Sequence, residues 1–341
     1  MKIKSVWRLI LVLVLSISFC VLPQKAQAQS LEAITYQVNT FDDLYDTAPN
    51  EICAGWVGPN PDDFGDCSLR AAITEAGYIH IQPKYVNIKL PPGTYQLTQK
   101  DPPFVGVPDI HYGDLDLPDF PEGQIPNKVV IQGTGGPDNP LIIDANFIDR
   151  VLELGEYRNL TLLNIVIQNG KQTGTNLWNS RGGGIYQRAN SSLFLEDVLL
   201  KDNQSTCTAL DCGAAGAAIY SVGKELTMFD TEIVGNRSDV DSAISYWYAP
   251  GRLLIQNSTI HRNISNRVTI AGRGYLFLVN STIANNFEST PDGDRIGTIF
   301  WTSKAWIQNS TVISNNPVTN VRVTESLTIR NSILMNAVSP Q

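Results

Sequence analysis

Histidine is scarce in this chain of 341 residues, and the charge is biased toward acid. Only His80, His111 and His261 are present, too few to supply the Cys–His ligand sets that zinc sites use. The 25 Lys and Arg residues stand against 33 Asp and Glu residues, so the formal net charge is −8. An acidic balance of this size argues against nucleic acid or an anionic membrane surface as the partner.

A long apolar run occurs only near the N-terminus, from Leu9 to Leu22. Three basic residues precede it, and Ala26-Gln27-Ala28 follows it as a small-x-small cleavage signal. This order is typical of a secretory signal peptide. We therefore predict a signal peptide at residues 1–28, and a mature chain in the medium or at the cell surface. The run is too short for a membrane span, and no later stretch is apolar enough to cross a bilayer.

Four cysteines remain after the signal peptide: Cys53, Cys67, Cys207 and Cys212. An even number in an exported chain indicates disulfides. The economical pairing is Cys53–Cys67 and Cys207–Cys212, since each bond then closes a local loop. A zinc site is the alternative interpretation, and the cysteine spacing and the scarcity of histidine both disfavour it.

A repeated unit organises the second half of the chain and is clearest at Leu276–Asn286. Close copies occupy 253–263 and 305–315, and looser copies occupy 160–170, 193–203, 226–236 and 327–336. Apolar residues alternate within each copy at strand spacing. Because each copy supplies short strands separated by a bend, the repeat predicts a parallel β-helix with one coil per copy.

The fifth position of every copy is Asn or Asp. The asparagines are Asn164, Asn257, Asn280, Asn309 and Asn331, and Asp197 and Asp230 take the other two places. Asn tolerates left-handed backbone torsions, which suit a tight bend. We predict that these residues stack at one bend and that their amides hydrogen-bond from coil to coil as a ladder. For the two aspartates, solvent relief and a bound cation are both open.

A second repeat places small residues before Ile at the corner of the coils. It gives Tyr186, Tyr220 and Phe300 the position after that Ile, and Trp301 follows directly. If the Ile points inward, the aromatic residue after it points outward, because side chains alternate along a strand. Two interpretations remain open: a strip that stacks on sugar rings, and aromatic packing between coils.

The N-terminal region carries a predicted helix that begins after Ser68, a favourable N-cap, and ends at Gly77. One face of it is apolar: Leu69, Ala72, Ile73 and Ala76. A stack of coils leaves its interior open at the end, so we predict that this helix is the cap. The domains are then a cap region at 29–85 and a β-helix at 86–341, with a Pro- and Asp-rich insertion at 99–127.

Asp114, Asp116 and Asp119 lie close together in that insertion. Clustered carboxylate oxygens are the ligands that Ca²⁺ prefers. A solvated loop explains the same residues without a metal. We predict no cofactor and no metal site, with calcium as the alternative.

Asp66–Ala76 (DCSLRAAITEA) resembles the CSLREA motif found near the N-terminus of many secreted bacterial and archaeal β-helix proteins, with Ala71 where that motif has Glu. Lys89–Tyr95, Gly113–Leu117 and Ile131–Gly133 continue the resemblance in the expected order. The resemblance implies an all-β, right-handed parallel β-helix of the pectate-lyase-like type, with export. It carries little information about activity.

No catalytic constellation accompanies the repeats. The paired aspartates and His-Gly motif of hydrolases with this fold are missing, and only Asp197 and Asp230 are stacked candidates for a lyase-type carboxylate cluster. We therefore predict no catalytic residues. The first function is a non-catalytic adhesive or carbohydrate-contacting module, a monomeric rod whose partner is extracellular polysaccharide or another cell-surface component. A polysaccharide lyase or glycoside hydrolase acting on acidic polysaccharide is second, and a passive stalk is third.

Overall fold

The computed structural model describes residues 32–46, 50–55, 57, 65–79, 84–100, 112–136, 138–174, 180–208, 213–288, 297–314 and 320–336. The predicted signal peptide lies outside them. Within these ranges there are one helix and 27 strands: α1 Leu69–Tyr78; β1 Glu32–Gln37, β2 Lys84–Leu90, β3 Gly93–Gln96, β4 Leu115–Leu117, β5 Lys128–Gly133, β6 Leu141–Asp144, β7 Leu152–Leu154, β8 Asn159–Gln168, β9 Lys171–Gly174, β10 Ile185–Gln187, β11 Ser192–Lys201, β12 Gln204–Cys207, β13 Ile219–Ser221, β14 Glu225–Phe229, β15 Glu232–Val234, β16 Arg237–Ser238, β17 Ile244–Gln256, β18 Thr259–His261, β19 Ile264–Ser265, β20 Val268–Val279, β21 Thr282–Glu288, β22 Gly297–Trp301, β23 Lys304–Gln308, β24 Thr311–Ser314, β25 Val321–Val323, β26 Ser326–Arg330 and β27 Ile333–Asn336. None of the described helical structure is long and apolar enough to span a membrane.

Strands pair in parallel with strands of the neighbouring coils. β8, for example, pairs with β5 and β11, and β14 pairs with β11 and β17. Crossover connections between parallel strands of one sheet are right-handed. The fold is therefore a right-handed parallel β-helix, and the prediction from the repeat is confirmed.

Four columns of strands run along the coils. We call three of them the first, second and third faces, and the fourth contains β9, β12, β16, β19 and the end of β21. The first face contains β4, β7, β10, β13, the starts of β17 and β20, β22 and β25. The second face contains β1, β2, β5, the starts of β8 and β11, β14, the ends of β17 and β20, β23 and β26. The third face contains β3, β6, the ends of β8 and β11, β15, β18, β21, β24 and β27.

The interior is built from identical or similar aliphatic side chains stacked coil on coil. On the second face, Leu193, Leu226, Leu253 and Leu276 occupy one inward column and are almost completely buried. Neighbouring strands lie about 4.8 Å apart, so each side chain packs on its equivalents above and below. Burial of each such side chain contributes roughly 1.5–3 kcal/mol to the free energy of folding.

The fifth-position residues of the repeat lie at the bend between the second and third faces. All seven have left-handed backbone torsions, with φ between 46° and 55°: Asn164, Asp197, Asp230, Asn257, Asn280, Asn309 and Asn331. Backbone N–H groups of Asn257, Asn280 and Asn309 each donate to the next coil, which keeps these residues in one column.

The continuous amide ladder lies at a different position from the one predicted. Asn203, Asn236, Asn263 and Asn286 close the third face, and the Nδ2 of each of the first three donates to the Oδ1 of the next at 2.9 Å. Among the described fifth-position residues, one pair of side-chain amides is hydrogen-bonded, and Asn280 Nδ2 donates to Asn257 Oδ1. The closing asparagines are at most 1% exposed and need protein partners, whereas the bend asparagines reach water.

A column of hydroxyl groups follows the bend. The Oγ atoms of Ser258, Ser281, Ser310 and Ser332 each accept from the backbone N–H of the preceding coil at 3.1 Å. These bonds satisfy buried N–H groups at a point where the strand ladder is interrupted.

Helix α1 begins where the sequence predicts, and Ser68 Oγ accepts from the backbone N–H of Ala71 at 3.1 Å. Its apolar face joins the interior of the coils. The predicted Cys53–Cys67 disulfide is confirmed, with a Cα–Cα distance of 5.1 Å. Cys207 is also disulfide-bonded, and its predicted partner, Cys212, lies outside the described residues.

The predicted insertion at 99–127 contains one strand of the β-helix. β4 pairs in register with β7, so Leu115 and Leu117 are part of the interior. The buried guanidinium of Arg70 donates to the carbonyl oxygens of Gly113 and Asp114 and forms an ion pair with Asp43 at 2.7 Å. Helix α1 is thereby fixed to the segment that leads into β4.

Candidate functional site

The aromatic residues of the corner repeat lie on the outward side of the first face. Tyr186 pairs with Tyr220, and their rings meet edge to face with centroids 5.7 Å apart. Ser245 and Ala271 continue the same column toward Phe300. The alternation that placed these rings outward is therefore present in the structure.

Outward orientation does not leave these rings exposed. Tyr220 is 5% and Phe300 is 7% exposed, and a guanidinium group lies over each ring. Arg181 lies 4.7 Å from the Tyr220 ring centroid, and Arg322 lies 5.7 Å from that of Phe300. Their expected role as an exposed sugar platform is wrong for this reason.

Trp301 points into the coil rather than out of it. It is fully buried, its indole N–H donates to the carbonyl oxygen of Gly274 at 2.9 Å, and its ring stacks with Tyr246 at 6.1 Å. Its predicted carbohydrate contact is also wrong, because it has the same strand parity as the inward Ile299. Of the four predicted residues only Tyr186 is partly exposed, with Arg150 5.3 Å from its centroid.

A carboxylate cluster occupies the same outward surface at β4 and β7. Oxygens of Asp114, Asp116 and Glu153 lie within 4.8 Å of one another, and these are hard-oxygen donors of the kind that bind Ca²⁺. Glu153 replaces Asp119 of the predicted set. Asp119 instead accepts from the backbone N–H of Glu156 at 2.8 Å. Among the described residues no such group includes Asp197 or Asp230.

Two arginines already provide positive charge to this carboxylate cluster. Arg150 lies 3.3 Å from Asp114 and also contacts Glu153, and Arg188 contacts Glu153 from the other side. Burial raises the pKa of Asp114 well above its usual range, and Arg150 opposes that shift. A divalent cation would have to displace these ion pairs. Calcium binding here therefore stays the alternative to the predicted absence of a metal site.

A groove of about 460 Å³ opens on the second face. It crosses the outward positions of β2, β5, β8, β11 and β14. The lining combines aromatic rings, hydroxyls, an amide and charged groups: Tyr85, Lys128, Val130, Asn159, Leu160, Thr161, Leu163, Ser192, Leu193, Phe194, Glu196, Glu225 and Thr227. None of these residues was predicted as a site residue.

Phe194 is the central aromatic residue of this groove. Its neighbours in the outward column are Thr161 and Thr227, whose short side chains leave space beside the ring. Asn159 and Glu225 belong to the adjacent outward column and place an amide and a carboxylate near it. An apolar surface with a few polar groups at its edge is the usual composition of a small-ligand site.

Further aromatic residues continue along the second face beyond the groove. Phe194 and Phe229 have centroids 5.6 Å apart. Phe277 stacks on Trp306 at 4.7 Å with a 7° interplanar angle, and Tyr275 lies 6.1 Å from Trp306. The signal for them was present in the repeat, since Phe194, Phe277 and Trp306 stand between two inward apolar residues.

Neither a protein-family profile nor a curated protein sequence matches the chain. Solved structures similar to it include pectin methylesterase from Aspergillus niger in deglycosylated form, at 11% identity and TM-score 0.43, covering 78% of this chain and 82% of that one. Pectate lyase Pel9A is similar at 13% identity and TM-score 0.30, covering 89% of this chain and 78% of that one.

Proposed function

We propose that the protein is a non-catalytic carbohydrate-contacting module of the secreted or cell-surface type, and that it binds polysaccharide in the groove of the second face. The observation that carries this proposal is the open groove beside Phe194. Sugar rings present apolar faces and a rim of hydroxyl groups. The ring of Phe194 can pack against the apolar face of a sugar. The amide, hydroxyl and charged groups at the edge can hydrogen-bond to its hydroxyl groups.

Export is part of the same proposal. The N-terminal pattern at residues 1–28 is that of a secretory signal, and disulfides persist in oxidising compartments. The Cys53–Cys67 bond supports that location. The Asp66–Ala76 segment further supports grouping the chain with the CSLREA-motif β-helix proteins that it resembles.

The experiment measures the affinity of the mature chain for a panel of soluble polysaccharides by isothermal titration and affinity electrophoresis. Phe194→Ala is expected to weaken binding about tenfold, the size of effect expected for one lost aromatic contact. Phe287→Ala is the matched control, because Phe287 is 62% exposed on another part of the coil surface. Equal binding by wild type and Phe194→Ala would contradict the proposal.

A polysaccharide lyase or hydrolase is the second candidate, favoured by the Asp114, Asp116 and Glu153 cluster with its two arginines. Assays for new reducing ends and for unsaturated products, with and without calcium, test it. Activity that disappears in Asp116→Asn and persists in Phe287→Ala would replace the non-catalytic proposal.

A further inference from the structure

The outward positions of the second face carry the opposite charge from the chain as a whole. From β2 to β26 these positions contain five cations, Lys89, Lys128, Arg252, Lys304 and Arg330, against two carboxylates, Glu196 and Glu225. The whole chain has a formal net charge of −8. A local surplus of three positive charges on an acidic protein creates a local field that attracts anions.

Two of these cations lie in the C-terminal coils without a described carboxylate partner. Lys304 and Arg330 are exposed, and no described carboxylate forms an ion pair with either. Arg252 contacts Glu225, and Lys128 lies 5.7 Å from the centroid of Tyr85. The charges of Lys304 and Arg330 are therefore available to a ligand.

These cations border the aromatic residues that extend the groove. Arg252, Tyr275 and Lys304 follow one another in one outward column. Arg252 and Lys304 are thus two coil steps apart, about 10 Å. Trp306 lies in the adjacent outward column, next to Phe277. The surface alternates positive charge with aromatic surface along the coil axis.

We propose that the ligand of the second face is an acidic polysaccharide, whose rings occupy the groove and whose carboxylates pair with Lys304 and Arg330. This inference rests on the proposed function and adds the chemical class of the ligand. A sparsely charged polymer suits a surplus of three charges better than a nucleic acid duplex, which carries one negative charge per about 1.7 Å. The rest of the chain is acidic and would repel the nucleic acid duplex, which has the higher density of negative charge.

The test compares a polyuronate, neutral dextran and DNA by titration calorimetry at low and high salt. Lys304→Glu is expected to weaken polyuronate binding about tenfold and to leave dextran binding unchanged. Added salt should weaken polyuronate binding in the wild type, because exposed charges are screened. Lys201→Glu, the same substitution on the third face, is the matched control, and thermal midpoints verify that both variants fold.

The outcomes separate the two proposals. Polyuronate binding that is lost in Lys304→Glu and kept in Lys201→Glu supports the acidic ligand. Wild-type binding to dextran that equals binding to polyuronate overturns the acidic ligand and leaves the carbohydrate-contacting function intact. Absence of binding to either glycan overturns both proposals. DNA binding as tight as polyuronate binding also overturns the acidic polysaccharide, since the surface would then accept any polyanion.

Discussion

The first and second faces follow the same alternation of inward and outward side chains, yet they present different surfaces. On the first face Arg181 and Arg322 lie over the rings of Tyr220 and Phe300 and remove them from solvent. On the second face short threonines flank Phe194, and a groove remains open beside it. Strand parity decides which way a side chain points, whereas the neighbours above it decide whether it is accessible.

The prediction with the largest expected effect tests whether the first and second faces share one hydrophobic interior. Ile219 on the first face and Leu226 on the second are both fully buried, so Ile219→Ala and Leu226→Ala should each lower the free energy of unfolding by roughly 2–5 kcal/mol. Urea denaturation measures the loss, with exposed Thr259→Ala as the control. A small loss on one face alone would show that the interior is not continuous.

A second prediction uses the pH dependence of folding stability to compare the capped end, which contains Glu75, with the two faces. Burial raises the pKa of Glu75 to about 7, while hydrogen bonds from the backbone N–H of Asn50 and Glu51 oppose the shift. Between the ordinary value of 4.5 and about 7 the folded state holds more protons than the unfolded state. The free energy of unfolding should therefore fall as pH rises through this window.

Glu75→Gln is expected to flatten that slope, because the variant has no proton to lose at this position. Urea unfolding from about pH 4.5 to about pH 8 measures the slope. Glu196→Gln, which changes an exposed carboxylate of the second face, should keep the slope of the wild type. An unchanged slope in Glu75→Gln would assign the pH dependence to other groups.

The smallest expected effect concerns the cover on the first face. Arg181→Ala removes a cation–π contact worth about 0.5–1 kcal/mol and should open the ring of Tyr220 to reagents. Nitration followed by peptide mass spectrometry measures that access. Arg237→Ala, at an exposed arginine on another strand column, is the control. If Tyr220 stays unreactive in Arg181→Ala, coil packing alone covers the ring.

Much of the fold could be predicted because its signals are local. The alternation of apolar residues predicted the strands. The fifth-position Asn or Asp predicted the left-handed bend that Asn164 and its equivalents adopt. Ser68 and the apolar face after it predicted α1. These features depend on residues within one coil, and a single sequence contains all of them.

The remaining features depend on contacts between coils. Asn236 closes one copy of the repeat and is buried, whereas Asn280 takes the fifth position of another copy and is exposed. The residue type alone does not distinguish them. The cover on Tyr220 comes from Arg181, which is distant in sequence. Trp301 is different, because its parity with Ile299 already indicated an inward position. The groove was missed because the repeat was interpreted for its inward residues.

The hydroxyl column from Ser258 to Ser332 has one polarity, with each backbone N–H donating to the serine of the following coil. Every coil therefore offers its neighbours the same donor on one side and the same acceptor on the other. A duplicated or deleted coil would leave these junctions chemically unchanged. The architecture can thus gain or lose length in whole modules during evolution, while loops between the faces diversify independently.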